Sequence, residues 1–354
     1  MKRSRLIILK SESETDYHKW LNSCKKYAES IEFSVVDLST NNWLSNLLHS
    51  KADYYLAQPG GLAMPFKQQY DERISILVNS LHHPIYPSLN EILLYENKKF
   101  LSYWLEANEI PHPETSVFYF QREAMDFLKS TTFPIVAKAN IGASGSGVHI
   151  FKNVKEAALY VREAFMGKGA KKRWGPNLAK GGLIKRGLRY ISYPGDIKRK
   201  LAIYKQRKND VQKDFVIFQE FIPHEYEWRC VRIGDSFFAH KKLVHNHKAS
   251  GSLLKGYENP PFKLMDFVKE VTDRNDLTSV AIDLFETRDK GYLVNEIQCF
   301  FGQSDPYQML VNGKPGRYIN ANDQWIFQEG DFNINESYDL RIQHVLELIK
   351  ERGK

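Results

Sequence analysis

Two apolar runs, Val280-Ala281-Ile282-Asp283-Leu284-Phe285 and Tyr292-Leu293-Val294-Asn295-Glu296-Ile297-Gln298, flank the polar turn Arg288-Asp289-Lys290-Gly291. β-Branched and aromatic residues around such a turn predict a β-hairpin. A two- or four-residue loop would set Asp283 opposite Glu296 and Ala281 opposite Gln298. Side chains alternate along a strand, so Asp283, Glu296 and Gln298 then share one face, while Ile282, Leu284 and Ile297 take the other. Directly opposed carboxylates repel unless protonated or bridged by a cation. Two acids and an amide oxygen form a hard-oxygen set suited to Mg²⁺ held on nucleotide phosphates. A three-residue loop with a glycine bulge would break this register, and a solvated hairpin face is the plainer alternative.

A second feature lies about 140 residues upstream, in Pro134 to Ile150, PIVAKANIGASGSGVHI. An apolar run delivers Lys138, a small-residue loop follows, and a further apolar run opens at Val148. Strand, glycine loop and strand make a flap that can cover phosphates. Glycines at 142, 145 and 147 permit positive φ, and backbone N–H groups beside Ser144 and Ser146 can face anionic oxygens. An ordinary glycine-serine hairpin turn is the competing reading of this loop taken alone.

Together these pieces resemble the ATP-grasp superfamily, in particular its carboxylate–amine ligases. The resemblance runs from about Tyr86 to Gln303. Asn97-Lys98, followed by Ile110-Pro111-His112-Pro113-Glu114-Thr115, is similar to the family's "N-K, helix, G-I-P-x-P-x-T" opening of the ATP domain. Pro134 to Lys138 looks like the strand carrying a nucleotide-contacting lysine, and Val216 to Ile222 like the hinge strand whose main chain holds adenine. Glu225, Glu227 and Arg229 resemble the E-x-R segment, and Leu293 to Gln298 the closing "V-x-E-x-N" strand. Gln298 stands where the family usually has asparagine, which lengthens the arm by one methylene. Near Ala239-His240-Lys241-Lys242 the family usually offers an arginine, and a lysine there keeps the charge but loses the bidentate fork.

The resemblance implies an α/β ATP-grasp fold: an N-terminal parallel α/β domain over 1–97, then two α+β subdomains over 98–217 and 218–354 that clasp ATP. It assigns Lys98, Lys138 and the loop residues Gly142, Ser144, Gly145, Ser146 and Gly147 to nucleotide phosphates. Gln219, Glu220, Phe221, Ile222 and Glu227 are assigned to adenine and ribose, and Asp283, Glu296 and Gln298 to Mg²⁺. Arg229 and Lys241 are candidates for stabilising phosphoryl and tetrahedral oxyanions, with Arg229 as a structural partner of Glu225 or Glu227 the alternative. The expected reaction joins a carboxylate to an amine through an acyl phosphate, releasing ADP and phosphate. A small-molecule kinase and a silent nucleotide-binding module are the other classes on this scaffold.

The remaining sequence agrees with a large enzyme. Its 354 residues are 42% apolar, enough for a sizeable core divided into two or three domains. No run approaches the apolar length of a membrane span, and the four apolar residues after the basic start are too few for a signal peptide. Three distant cysteines, Cys24, Cys230 and Cys299, suggest reduced core thiols and a cytoplasmic location. Leu6–Leu9, Phe33–Asp37 and Tyr54–Ala57 read as strands alternating with helices near Thr15–Ser30 and Phe66–Leu81, which favours a parallel α/β sheet. Gly60 and Gly61, past the third strand, and Arg73 on the helix beyond suggest a carboxylate-binding edge; a plain strand-to-helix turn and a solvated helix face are the alternative.

Charge is uneven. Lys168 to Lys208 carries 14 basic residues against one acid, whereas the whole chain is only +8. Tyrosines and a tryptophan interleave with this charge, which could suit nucleic acid. An acidic small-molecule, glycan or peptide carboxylate beside a phosphate-rich site is preferred, and a solvated insertion is the bland reading. The expected partners are that carboxylate and an amine, without nucleic acid; a homo-oligomer is left open. His240, His245 and His247 have no cysteine and no further ligand at a recognised zinc spacing, so the segment His245 to Ser252, with Ser250, Gly251 and Ser252, is read as an anion-binding loop.

Overall fold

The computed structural model describes residues 3–13, 15–60, 63–142, 147–169, 201, 205, 209–245, 248–249, 254–302 and 305–353. The chain divides into two compact units. The first comprises Met1–Gly61, Pro65–Glu114 and Ile222–Lys354, and the second Leu62–Met64 and Thr115–Phe221.

The first unit opens with alternating strands and helices: β1 (Ser4–Lys10), α1 (His18–Lys26), β2 (Ile31–Asp37), α2 (Trp43–Leu47), β3 (Tyr54–Ala57), α3 (Met64–Asn79) and β4 (Ile85–Tyr86). The sheet order is β2-β1-β3-β4 and every pair is parallel. This is the layout that the alternation predicts. Leu6, Ile8, Tyr55 and Leu56 are buried, with Trp20 of α1 and Ile74 and Leu77 of α3 packed into the same core. The short β4 and α2 are not legible in the sequence, because two and five residues are too few for a period to show.

Two helices, α4 (Leu89–Leu94) and α5 (Lys98–Ala107), carry the chain onward. Ser88 and Glu91 form a reciprocal capping box on α4. Glu91 does more than cap: one oxygen accepts Ser88 N–H at 2.7 Å, and the other accepts the backbone N–H groups of Thr278 and Ser279 at 2.7 and 2.6 Å. Burial raises the pKa of this carboxyl, opposed by those donated hydrogen bonds.

The second unit holds β5 (Thr115–Phe118), α6 (Gln121–Ser130), β6 (Ile135–Lys138), β7 (Val148–Phe151), α7 (Val154–Phe165) and β8 (Val216–Glu220). Its antiparallel sheet runs β5-β8-β6-β7. Ala124, Leu128, Ala157, Val161 and Ala164 line the helix faces that cover Ile135, Ala137, Val216 and Phe218. Small residues on α7 let it approach the sheet closely, and Asn153 caps its start by accepting from Glu156 N–H at 3.1 Å.

The first unit then resumes with β9 (Tyr226–Ile233), β10 (Ser236–His245), β11 (Lys248–Ala249), β12 (Lys255–Gly256), α8 (Phe262–Arg274), β13 (Ser279–Thr287) and β14 (Gly291–Gln298). It closes with β15 (Leu310–Val311), β16 (Lys314–Ala321), β17 (Gln324–Glu329) and α9 (Tyr338–Arg352). The central order β14-β13-β9-β10-β16-β15 is antiparallel throughout. One face packs Trp228, Cys230, Ile282, Leu284 and Ile297 against Leu264, Met265 and Val268 of α8. The other face carries the polar residues described below. All three cysteines are buried and unbridged. No helix among the described residues is long and apolar enough to cross a membrane.

Candidate active site

The β13–β14 hairpin supplies the first two groups. Asp283 pairs with Glu296, and Ala281 with Gln298, as alternation around the turn predicts. The route to that register differs from the simple hairpin. Thr287 pairs with Gly291 across a three-residue loop, so the strands leave the turn one residue out of step. Gly291 takes φ +69°, the left-handed region where glycine carries no Cβ penalty. A bulge between Asp283 and Leu284 restores the pairing, with Asn295 as the extra residue. Asn295 Nδ2 donates to Glu227 Oε1 at 3.1 Å, so the bulge brings an amide onto the polar face.

The adjacent hairpin supplies the cations. Ile233 pairs with Ser236 around the two-residue loop Gly234-Asp235, which sets Arg229 opposite His240 and Glu227 opposite Lys242. Arg229 also pairs with Asp283 on its other side. Arg229 donates a fork to Asp283, Nε to Oδ1 at 2.8 Å and Nη2 to Oδ2 at 2.9 Å. Lys242 Nζ donates to Asp283 Oδ2 at 2.7 Å and to Glu227 Oε2 at 2.6 Å. Burial alone would push Asp283 up; the charges of Arg229 and Lys242 outweigh it and hold this carboxyl well below the usual carboxylate range. Burial lowers Lys242, but Asp283 and Glu227 more than offset that and raise it. Burial also opposes the charge on Arg229, and Asp283 again outweighs it and raises the pKa.

Lys98 arrives from the start of α5. Asn97 caps that helix, its side chain accepting from Phe100 N–H at 3.3 Å. The next residue, Lys98, reaches Glu296 Oε1 at 3.3 Å and lies 4.0 Å from Glu96 Oε2. Burial would lower Lys98, and Glu296 and Glu96 raise it instead. Gln298 Nε2 donates to Glu96 Oε1 at 3.5 Å. One sheet face therefore gathers Asp283, Glu296, Glu227, Arg229, Lys242 and Lys98.

Several of the expected site residues make contacts other than those the sequence suggests. Lys241, expected near a phosphoryl group, projects from the opposite face of β10. Its Nζ lies 4.0 Å from the centroid of the Tyr226 ring and 2.6 Å from Glu258 Oε2. Alternation explains this: the neighbour of a face residue must point away, and the lysine that reaches Asp283 is Lys242. Arg229 partners Asp283 rather than Glu225 or Glu227. Arg73 donates to Leu38 O and, at 2.8 Å, to Thr40 O, and stacks 5.1 Å from the centroid of Trp43, so its guanidinium closes the loop after β2. Gly60 lies against α3, where a Cβ would come within 2.7 Å of Phe66 O.

In the second unit Lys138 ends β6 opposite Val148, Gly147 takes φ +83°, and Gln219 Nε2 donates to Thr115 Oγ1 at 2.9 Å. Glu220 ends β8, with Phe221 and Ile222 following it. Gly142 follows Ile141, whose backbone is joined to the Gln212 side chain by hydrogen bonds of 3.0 and 2.8 Å. Gly61, Ser144, Gly145, Ser146, Ser250, Gly251, Ser252, His247 and nearly all of the basic segment lie outside the described residues.

Two residues of the polar face, Lys242 and Asn295, are not assigned a role by the sequence alone. The signal for Lys242 is present: a two-residue Gly-Asp turn between apolar runs fixes the β9–β10 register. Asn295 depends on a bulge, which carries no sequence mark.

His240 Nδ1 donates to Gln308 O at 2.8 Å, and burial, reinforced by Arg229, lowers its pKa to about 3. Burial likewise lowers His344 to about 4. Both rings are neutral in the fold and protonate first in the unfolded chain, so their contribution is intact above about pH 6.5 and is lost as pH falls toward the folded values. Each costs up to about 1.4 kcal/mol per pH unit in that window. Denaturant melts at pH 7 and pH 5 should therefore differ, and His344→Leu should flatten the difference. An unchanged pH slope in that variant would show that His344 does not titrate as described.

No protein-family model matches the chain. Over 229 residues it is 23% identical to the alpha-aminoadipate–LysW ligase LysX of Saccharolobus solfataricus, spanning 63% of this chain and 68% of that protein. Among solved structures, a RimK-domain ATP-grasp protein from Sphaerobacter thermophilus superposes with TM-score 0.51 at 16% identity, covering 83% of this chain and 90% of that one. The chain has the ATP-grasp fold. The D-alanine–D-alanine ligase of Bacillus anthracis agrees at TM-score 0.53 and 13% identity, over 99% of each chain. An ADP complex of N5-carboxyaminoimidazole synthetase from Staphylococcus aureus gives 0.55 at 10% identity, over 98% of this chain and 78% of that one.

Proposed function

We propose that this ATP-grasp protein is an ATP-dependent ligase that joins a carboxylate to an amine, releasing ADP and phosphate. The observation that carries the reading is the pair Asp283 and Glu296, opposed on one sheet face and surrounded by Arg229, Lys242 and Lys98. Carboxylates facing each other need a cation between them, and a transferring phosphoryl group needs cations around it; this face offers both. Relatives named as ligases support the reading over a kinase.

The donor chemistry fits Mg²⁺. Asp283 and Glu296 supply hard oxygens, with Gln298 adjacent in the register. Among the described residues no set of three or more His, Cys, Asp or Glu could hold a metal ion alone. Phosphate oxygens of a bound nucleotide would complete the coordination that these donors begin. When bound, Mg²⁺ would neutralise charge on those phosphates.

The chain's own groups have separable roles. Lys98, Lys138 and the loop with Gly142 and Gly147 are assigned to phosphates, and residues 219–222 to the base. Arg229, fixed by its fork, is assigned to the oxyanion that develops when a carboxylate attacks the γ-phosphorus. Lys242 takes the part that the sequence suggests for Lys241. Glu227, held by Lys242 and Asn295, fits the ribose as an acceptor. The acyl phosphate formed is then open to an amine, which expels phosphate. The carboxylate substrate is an acidic small molecule, glycan or peptide, and the chain works in the cytoplasm.

A screen of acids and amines for ADP and phosphate release, with mass spectrometry of products, tests this. Phosphate release that needs both partners, and a product heavier by their condensation, is expected. A stable phosphorylated product would replace the ligase with a kinase.

A further inference from the structure

We infer that Arg229 and Lys242 serve Asp283 as internal counter-ions, so that a divalent cation enters this face only together with a polyphosphate that takes Lys242 over. The inference rests on the ligase reading for the identity of that polyphosphate, a nucleoside triphosphate.

Three charged hydrogen bonds end on Asp283, which is only 2% exposed. A carboxylate offers about four lone-pair sites, so most of its capacity is spent. Its neighbours are matched as well: Glu227 by Lys242 at 2.6 Å and Glu296 by Lys98 at 3.3 Å. A bare divalent ion approaching Asp283 would meet an ammonium and a guanidinium already seated on both oxygens, in a region too buried for water to screen them. Dehydrating the ion adds to the barrier.

A triphosphate changes the balance by bringing anionic oxygens of its own. The two cations are unequal in their freedom to respond. Arg229 is locked in a planar two-bond fork on Asp283, whereas Lys242 is a single ammonium on a flexible four-carbon stem. Lys242 is therefore the group that moves from Asp283 to phosphate, which frees one acceptor position on the carboxylate while Arg229 keeps its fork and Glu227 keeps the lysine near. Metal and nucleotide binding become mutually dependent, each improving the other by the same factor.

Mn²⁺ titration of the full chain, followed by the electron paramagnetic resonance of the free ion, tests this with and without a non-hydrolysable ATP analogue. The wild type should show no saturable Mn²⁺ site below about 1 mM alone, and one site at least about tenfold tighter with the analogue. Lys242→Gln should gain Mn²⁺ binding without nucleotide, and Lys242→Arg should not. Tight Mn²⁺ binding by the nucleotide-free wild type would overturn the inference while leaving the ligase reading intact, and this arm needs no variant to fold. A folded Lys242→Gln with no gain would overturn it as well. Failure of the analogue to bind at all would overturn both.

Discussion

Asp283→Asn is expected to lose both turnover and about 3–5 kcal/mol of stability, the cost of breaking a buried charge pair from one side. Arg229 and Lys242 both end on this carboxylate, and the amide leaves two buried cations short of an anion. Glu296→Gln separates the two effects. Its side chain is 23% exposed and it is the opposing partner in the register, so stability should change by about 1 kcal/mol or less while turnover falls at least about a hundredfold. Urea melts read beside ATP turnover check both. Full activity of either variant would remove the metal role from this hairpin.

Glu91→Ala is the second large effect, and a purely structural one. Three backbone N–H groups, of Ser88, Thr278 and Ser279, end on this carboxylate, which is completely buried. Buried donors left without acceptors cost about 1–3 kcal/mol each, so a loss of about 3–5 kcal/mol is expected after partial relaxation. Glu91→Gln, which keeps an acceptor oxygen, should recover part of it. A urea midpoint for Glu91→Ala within error of the wild type would show that water or another group replaces the carboxylate.

The contrast between these residues shows what the sequence can reveal. Asp283 and Glu296 are legible as members of two apolar strands flanking a turn, but their pairing is reached through a three-residue loop and a compensating bulge that the turn alone does not reveal. Strand alternation, applied to Ile233-Gly234-Asp235-Ser236, places Lys242 with Glu227 and turns Lys241 away. Parallel order in the first sheet follows from strand–helix alternation, since parallel neighbours need a crossover between them. Glu91 is hidden because its partners lie 187 and 188 residues away, and no local pattern reports a contact of that range. Arg73 misleads for a related reason: an arginine near a glycine turn suggests a ligand, while its carbonyl partners belong to a different loop. The bulge that delivers Asn295 depends on strand mismatch at the turn, which is a property of the pairing and of neither strand alone.

The most direct test of the ligase reading follows the oxygen. An acid substrate found in the screen is labelled with ¹⁸O in its carboxylate, turned over with ATP and the amine, and the released phosphate is examined by ³¹P NMR. Attack of the carboxylate on the γ-phosphorus requires one labelled oxygen to leave in phosphate, so phosphate carrying a single ¹⁸O is the predicted result. Amide formed with unlabelled phosphate, the displaced ¹⁸O being recovered in water or in AMP instead, would contradict it.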